Sequence, residues 1–156
     1  MAKKETKKAP LEIRNRKASH DFFVGETFEA GIVLTGTEIK SLRAGHAQIN
    51  DAFVRVDRGE AIMYQSHISE YDFGNINNHN PTRQRKLLLH KKEILKLFGK
   101  SKEDGLTIIP LEIYMSGSRA KMKIALAKGK KLYDKRDSEA EKSAKRNMER
   151  AIKETY

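Results

Sequence analysis

Ile109-Pro110-Leu111-Glu112-Ile113-Tyr114-Met115-Ser116-Gly117-Ser118-Arg119-Ala120-Lys121-Met122-Lys123-Ile124-Ala125-Leu126 reads as two β-strands and the turn that joins them. Ile109, Leu111, Ile113 and Met115 fall on one side of the first strand. Met122, Ile124 and Leu126 fall on one side of the second, the period of two that a half-buried strand imposes. Ser116-Gly117-Ser118-Arg119 supplies the turn. Pro110 has no N–H to give to a ladder, which predicts a sheet edge or a bulge at that point. If Met122 and its neighbours face inward, Lys121 and Lys123 stand together on the outer face beside Arg119. Two cations beside a β-surface form an electrostatic platform for a phosphate backbone.

Working outward, Phe28-Glu29-Ala30-Gly31-Ile32-Val33-Leu34 is a strand entering a core, with Glu29 turned outward if Phe28 and Ala30 point in. Thr37 to Arg43 spaces Ile39 and Leu42 for a short helix closed by Gly45. Ala52 to Val56 and Ala61 to Gln65 form a hairpin about Asp57-Arg58-Gly59-Glu60. Residues 72–85 are polar and aperiodic, a predicted surface loop. Leu87-Leu88-Leu89, read as core, leads into an amphipathic helix over His90 to Phe98 that Gly99 ends. The fold class is mainly β with short helices. Short strands in succession suggest a small closed β-barrel, and periodicity leaves an open α+β sheet as the alternative.

The two ends of the chain read differently. Met1 to Pro10 is lysine-rich without periodicity and is expected to be disordered. Beyond Leu132 the large apolar side chains, the tyrosines aside, are Met148 and Ile152, in a sparse stripe with Ala140 and Ala144. Ser138 and Glu141 match a capping box, which predicts a helix of about 15 residues beginning after Ser138. A helix of that length is marginal in water, so the tail is expected to be disordered or marginally helical when free. The chain thus divides into a flexible basic segment (1–14), a barrel domain (15–132) and a basic C-terminal tail (133–156).

Charge then narrows the function. The chain has 32 Lys and Arg against 21 Asp and Glu, a net charge of +11, and the excess is segregated. Residues 1–17, 83–102 and 128–156 are each strongly basic, while 18–82 is net acidic. Basic blocks around an acidic stretch describe a surface made for a polyanion. There is no cysteine, which excludes disulfides, thiolate chemistry and cysteine-bound zinc. The five histidines are not spaced to ligate a metal from one helix face. No phosphate-binding glycine loop or nucleophile elbow is present. Apolar runs reach only four residues, too short for a signal peptide or a membrane span. The expectation is a cytosolic RNA-binding protein, monomeric, without cofactor or catalytic site. A structural ribosomal protein is the runner-up, and an RNA-modifying enzyme a distant third.

Three runs carry RNA-binding chemistry besides the Arg119, Lys121 and Lys123 platform, and one of them, Pro81-Thr82-Arg83-Gln84-Arg85-Lys86, reads equally well as a basic approach to a helix. Asn15-Arg16-Lys17, followed by His20, offers amide, guanidinium, ammonium and imidazole groups to phosphate, ribose and base edges. Lys128-Gly129-Lys130-Lys131-Leu132-Tyr133-Asp134-Lys135-Arg136 is a basic stretch with one aromatic, suited to follow RNA and stack on a base.

At this point the chain resembles a known family. Glu26 to Gly45, Pro81 to His90 and Ala127 to Arg136 are similar to signatures of the bacterial SsrA-binding proteins, also called small protein B, and the likeness runs from Asn15 to Arg136. It implies an oligonucleotide-binding (OB) type barrel that binds the tRNA-like domain of tmRNA. The complex then accompanies stalled ribosomes through trans-translation, the rescue reaction that tags incomplete polypeptides. The resemblance assigns Glu29, Leu88 and Lys121 to tmRNA binding. It assigns Asp134, Lys135 and Arg136 to a tail that enters the vacant mRNA channel at the decoding centre. Departures are small: Asn80 stands where aspartate is common, Tyr133 where some members have histidine, and Ala144 in a region where some carry an aromatic.

Overall fold

The computed structural model describes residues 12–73, 78–103 and 105–155. The expected disorder of Met1 to Pro10 falls outside them. In chain order the elements are β1 (Glu12–Arg14), α1 (Ala18–Asp21), β2 (Phe22–Ile32), α2 (Gly36–Arg43), β3 (Ala47–Gln48), β4 (Phe53–Asp57) and β5 (Glu60–Tyr64). They continue with β6 (His67–Ile68), β7 (Arg85–Leu88), α3 (Lys91–Glu103), β8 (Thr107–Ser116), β9 (Arg119–Gly129) and α4 (Leu132–Thr155). The main sheet is antiparallel, in the order β1-β8-β4-β5-β7-β2-β9, and β9 also pairs with β8. The sheet therefore curls into a ring, with β1 added at β8. A small second sheet joins β3 to β6.

Turn chemistry sets the two hairpins. Arg58 and Gly59, between β4 and β5, both have positive φ (49° and 75°), as a two-residue primed turn requires. Gly117 begins the β8–β9 turn at φ 62°. Inside the ring Val54, Met63, Leu87, Ile108, Ile113, Met122, Ile124 and Leu126 form one core, which Leu42 of α2 and Leu97 of α3 join.

β8 corrects one expectation. Ile109, Leu111, Ile113 and Met115 do not share a face, because the β8–β9 register slips between Pro110 and Glu112. The bulge that Pro110 signalled inserts an extra residue and reverses the alternation. Ile113 and Met115 face the main core, whereas Ile109 and Leu111 pack outside it with Ala18, Phe22 and Ala127. Asn15 closes the irregularity: its backbone N–H reaches the Leu111 carbonyl at 2.8 Å and its Nδ2 the Pro110 carbonyl at 2.9 Å.

Other boundaries move too. α3 runs four residues past Gly99, to Glu103, so this glycine lies inside the helix. β2 starts at Phe22 and continues the chain of α1 without a break. The tail helix starts at Leu132, seven residues before the predicted start, and Ser138 lies within it rather than at its cap. The cause lies outside the segment: Lys135 and Glu139 are held by α1, at 3.3 Å to Asp21 and 2.6 Å to His20. Farther along the helix Met148 is 67% exposed.

The predicted surface loop 72–85 is not wholly at the surface. His79 is buried, its Nε2 donating to the Ile68 carbonyl (2.8 Å) and its Nδ1 accepting from the Thr37 hydroxyl (2.9 Å). Arg85 and Glu38 are both fully buried and bonded to each other through Nε and Oε2. Arg83 donates to the other carboxylate oxygen, which also accepts the Thr35 N–H at 2.9 Å in a capping box on α2. The Arg85 Nη groups reach Ser66 Oγ (2.8 Å) and the carbonyls of Ser66, Arg83 and Pro81. Burial pushes the Glu38 carboxyl upward, but hydrogen bonds from Arg83, Thr35 and Arg85 outweigh it and hold the group below the usual carboxylate range.

Removing one member strands a buried charge. Arg85→Met should lower the unfolding free energy by about 3–5 kcal/mol in a urea titration at pH 7. Because the folded-state value of Glu38 is lowered, its contribution is complete above the ordinary glutamate range and is lost as pH falls through the folded value. Glu38→Gln should therefore flatten the acid limb of the stability–pH curve as well as destabilise the protein. A variant with unchanged stability would show that α2 and β7 are held by other contacts.

Candidate nucleic-acid interface

β2, β7 and β9 bring five of the predicted residues to one outer surface. Glu29 is the register partner of Lys123, and Gly31 that of Lys121 on one side and Leu88 on the other. Lys121 Nζ reaches diagonally to Glu29 Oε1 at 2.7 Å. Leu88, Arg119 and Lys121 line one open cleft of about 580 Å³, together with Ile32, Val33 and Ile39. Glu29 and Lys123 line the neighbouring one. Both lysines face outward as the alternation requires.

Leu88 corrects the expectation that it is core. It is 54% exposed, while Leu87 is buried, because β7 alternates and only one of two consecutive leucines can face inward. A methyl group on Gly31 would lie 3.3 Å from the Leu88 Cβ, so the glycine leaves Leu88 close room across the sheet. The surface thus offers an apolar ridge bordered by cations. Riboses and base faces can pack on the first while the second meets phosphates.

Sequence reading missed Tyr114. On β8 it is the register partner of Lys121, and its hydroxyl lies near enough to the Glu29 carboxylate to influence it. Burial and then the Glu29 carboxylate push the phenol up to about 12, so it stays a donor. Lys121 first and Tyr114 second hold the Glu29 carboxyl below its ordinary range. Glu29 is therefore a fixed anion that orients Lys121 and leaves Lys123 beside it. Alternation around Ile113 placed Tyr114 outward, but pairing it with Glu29 required knowing that β2 and β8 both flank β9.

Asn15, Arg16, Lys17 and His20 are not part of that surface. They lie before the start of β2, roughly 24 Å along the strand from Glu29. Asn15 is committed to the bulge, and Arg16 offers its backbone N–H to Asn50 at 3.0 Å while its side chain stays exposed. Lys17 Nζ lies 3.4 Å from Asp51. His20 bridges Asp21 (2.9 Å) and Glu139 (2.6 Å), and Lys135 pairs with Asp21, so α1 and the first turns of α4 form a latch. Lys130 donates to the Ser19 carbonyl at 2.9 Å and sits 5.0 Å from the Phe23 ring. Lys128, Lys131 and Arg136 are exposed. The backbones of Tyr133 and Asp134 belong to α4, and their side chains lie outside those described. Of the Pro81 to Lys86 run, Arg85 is buried structure and Lys86 pairs with Glu60 at 3.0 Å. Asn80 keeps the turn capped, its Oδ1 accepting from the Thr82 N–H at 3.1 Å. Among the described residues no cluster of three or more His, Asp or Glu could hold a metal, and no helix is long and apolar enough to cross a membrane.

Residues 12–154 match the family model described as SmpB protein. The chain is 57% identical over 150 residues to the SsrA-binding protein of Shouchella clausii, covering 96% of each. It is 54% identical over 140 residues to that of Pelotomaculum thermopropionicum, covering 90% of this chain and 92% of the relative. A solved structure described as "tmRNA-SmpB: a journey to the center of the bacterial ribosome" aligns with a TM-score of 0.67 at 46% identity, over 78% of this chain and 86% of that one.

Two consequences of the geometry are measurable without RNA. Tyr114→Phe removes the hydroxyl beside the Glu29 carboxylate and should raise the Glu29 pKa in a carboxyl ¹³C titration, by less than Lys121→Ala does. A Glu29 curve indifferent to Tyr114→Phe would show that the hydroxyl points elsewhere. At the latch, hydrogen bonds that His20 donates to Asp21 and then to Glu139 raise its pKa. The contact is complete below the ordinary histidine range and is lost as pH rises through the folded value. Amide signals of Lys135 and Glu139 should titrate with the His20 ring, and His20→Gln should leave them flat.

Proposed function

The chain belongs to the SmpB protein family, the SsrA-binding proteins, and we infer from this that it binds tmRNA and acts with it on the ribosome in trans-translation. This is a non-enzymatic role, and family membership displaces both a structural ribosomal protein and an RNA-modifying enzyme. The finer reading is that the ring is an OB-type barrel whose outer face takes the tRNA-like domain of tmRNA. The observation that carries it is the exposed Leu88 ridge beside Lys121, Lys123 and Arg119, with Glu29 buttressing the lysines. A duplex-like RNA offers phosphates and ribose hydroxyls to such a surface.

The segment from Lys128 to Arg136 then serves the ribosome. Lys128, Lys130, Lys131 and Lys135 with Arg136 supply cations for rRNA in the decoding centre and mRNA channel, and Tyr133 supplies a ring for stacking. The chain works in the cytosol as a monomer. The Asn15 to His20 group supports the base of the tail, with Arg16 and Lys17 available to RNA.

Lys121→Ala should weaken binding of a tRNA-like-domain transcript and reduce the slope of log K against log salt by about one unit. Truncation before Tyr133 should leave that affinity within a few fold yet abolish tagging on ribosomes carrying a truncated message. Parallel loss of binding and tagging would assign the tail to the tmRNA interface, and normal tagging would remove it from the mechanism altogether.

A further inference from the structure

The far side of the ring carries a feature that the tmRNA surface does not use. Phe53 of β4 and Tyr64 of β5 are register partners, and their rings are stacked on the outer face with centroids 5.4 Å apart and planes 12° from parallel. Arg55, the next outward residue on β4, lays its guanidinium over both rings, at 5.2 Å from Phe53 and 5.9 Å from Tyr64. Phe53 and Arg55 also line a cleft of about 440 Å³ whose other wall is the end of α3. There Phe98, 38% exposed, has the Lys102 ammonium 4.4 Å from its ring centroid, and Ser101 and Thr107 add hydroxyls.

A cross-strand aromatic pair by itself stabilises a hairpin. Four further features exceed that need: a guanidinium plane on the pair, a second ring across the cleft, a second cation beside that ring, and hydroxyls on the floor. Among the described residues, neither Arg55 nor Lys102 is paired with a carboxylate. Phe53 and Phe98 with Arg55 and Lys102 share one open groove, and Tyr64 extends the ring surface past Phe53 into the adjoining cleft; flat faces for bases and cations for phosphates are what a single strand of nucleic acid requires. A duplex keeps its base faces stacked and could use the cations alone.

We propose that the cleft between β4 and the end of α3 is a second RNA site, which takes a short single-stranded segment by stacking bases on the Phe53–Tyr64–Arg55 platform and on Phe98. The strand's phosphates lie along Arg55 and Lys102. The proposal rests on the reading of the chain as an RNA-binding protein and adds a single-stranded ligand to the structured one. The two sites face opposite sides of the ring, since β4 and β5 lie across it from β9 in the strand order. One molecule can then hold folded RNA on one side and an unpaired strand on the other.

The test uses the full-length protein and three fluorescein-labelled probes: an eight-nucleotide oligoadenylate, an abasic strand of equal length, and a tRNA-like-domain transcript. The doubly substituted Arg55→Glu, Lys102→Glu protein should bind the oligoadenylate at least tenfold more weakly, with transcript affinity within twofold of wild type. Lys121→Ala should show the converse. Ring-proton signals of Phe53, Tyr64 and Phe98 should shift on titration with oligoadenylate. Equal affinity for the abasic strand would reduce the cleft to a cation patch and overturn the proposal. So would oligoadenylate binding that is untouched by the double substitution, or that falls instead with Lys121→Ala. Failure of the wild-type protein to bind the transcript would count against the functional reading, whatever the oligonucleotide does.

Discussion

A single buried charge pair holds the half of the ring that carries Leu88 and Lys121 in shape. Glu38 sits in the first turn of α2 and Arg85 at the start of β7, 47 residues on, yet each is fully shielded from water and satisfied by the other. Two charges removed from solvent are tolerable only when every hydrogen-bonding position is filled. The filling is done by groups from distant segments: the Thr35 N–H, the Arg83 side chain, and carbonyls at Ser66, Pro81 and Arg83. The arginine therefore fixes where β7 begins, and with it which leucine of the following run points outward. Leu88 is exposed beside Lys121 because Arg85, three residues earlier, faces in.

Electrostatic demands reach the outer surface by the same logic. Glu29 would repel an RNA backbone if it stood alone, but between Lys121 and the Tyr114 hydroxyl it acts on the lysine rather than on the ligand. A lysine ammonium on a four-carbon stem is otherwise a mobile point charge. Anchoring it to the neighbouring strand reduces the side-chain entropy that an anion bound there would cost. At the other end of β2 the exchange runs the opposite way. Asp21 and Glu139 occupy His20, and Asp21 also holds Lys135, so groups with RNA-binding chemistry secure the root of α4.

Much of the ring was legible because its determinants are local. Period-two alternation put Lys121 and Lys123 outside and Met122, Ile124 and Leu126 inside, and Gly59 and Gly117 stand where hairpin turns demand positive φ. What could not be read depended on partners far along the chain. Arg85 sits in a run of cations that resembles solvent-facing charge, and only the pairing with Glu38 draws it inside. Leu88 lies among three leucines, and its exposure follows from strand phase rather than hydropathy. The tail helix begins early because α1 holds it, a contact that helix propensity and capping signals do not contain. Pro110 announced the bulge, but not that the bulge would divide the apolar residues of β8 between two cores.

The division of β8 has a further effect on how the ring meets its neighbours in solution. One edge of β8 is covered by β9 throughout, and the other is shared, β4 meeting it at Ile108 and β1 at Glu112 to Tyr114. Strand edges left open are templates on which other chains add and from which aggregates grow. Ring closure covers part of these edges, β7 meeting β2 at Gly31 and Ile32 and β8 meeting β4 at Val54, and the strand that ends the order is the three-residue β1, preceded in sequence by a segment with four lysines. So short a strand, next in sequence to so many like charges, is a poor seed for further pairing. A protein with this many β-strands and this much positive charge can then be crowded against long RNA polymers without polymerising itself.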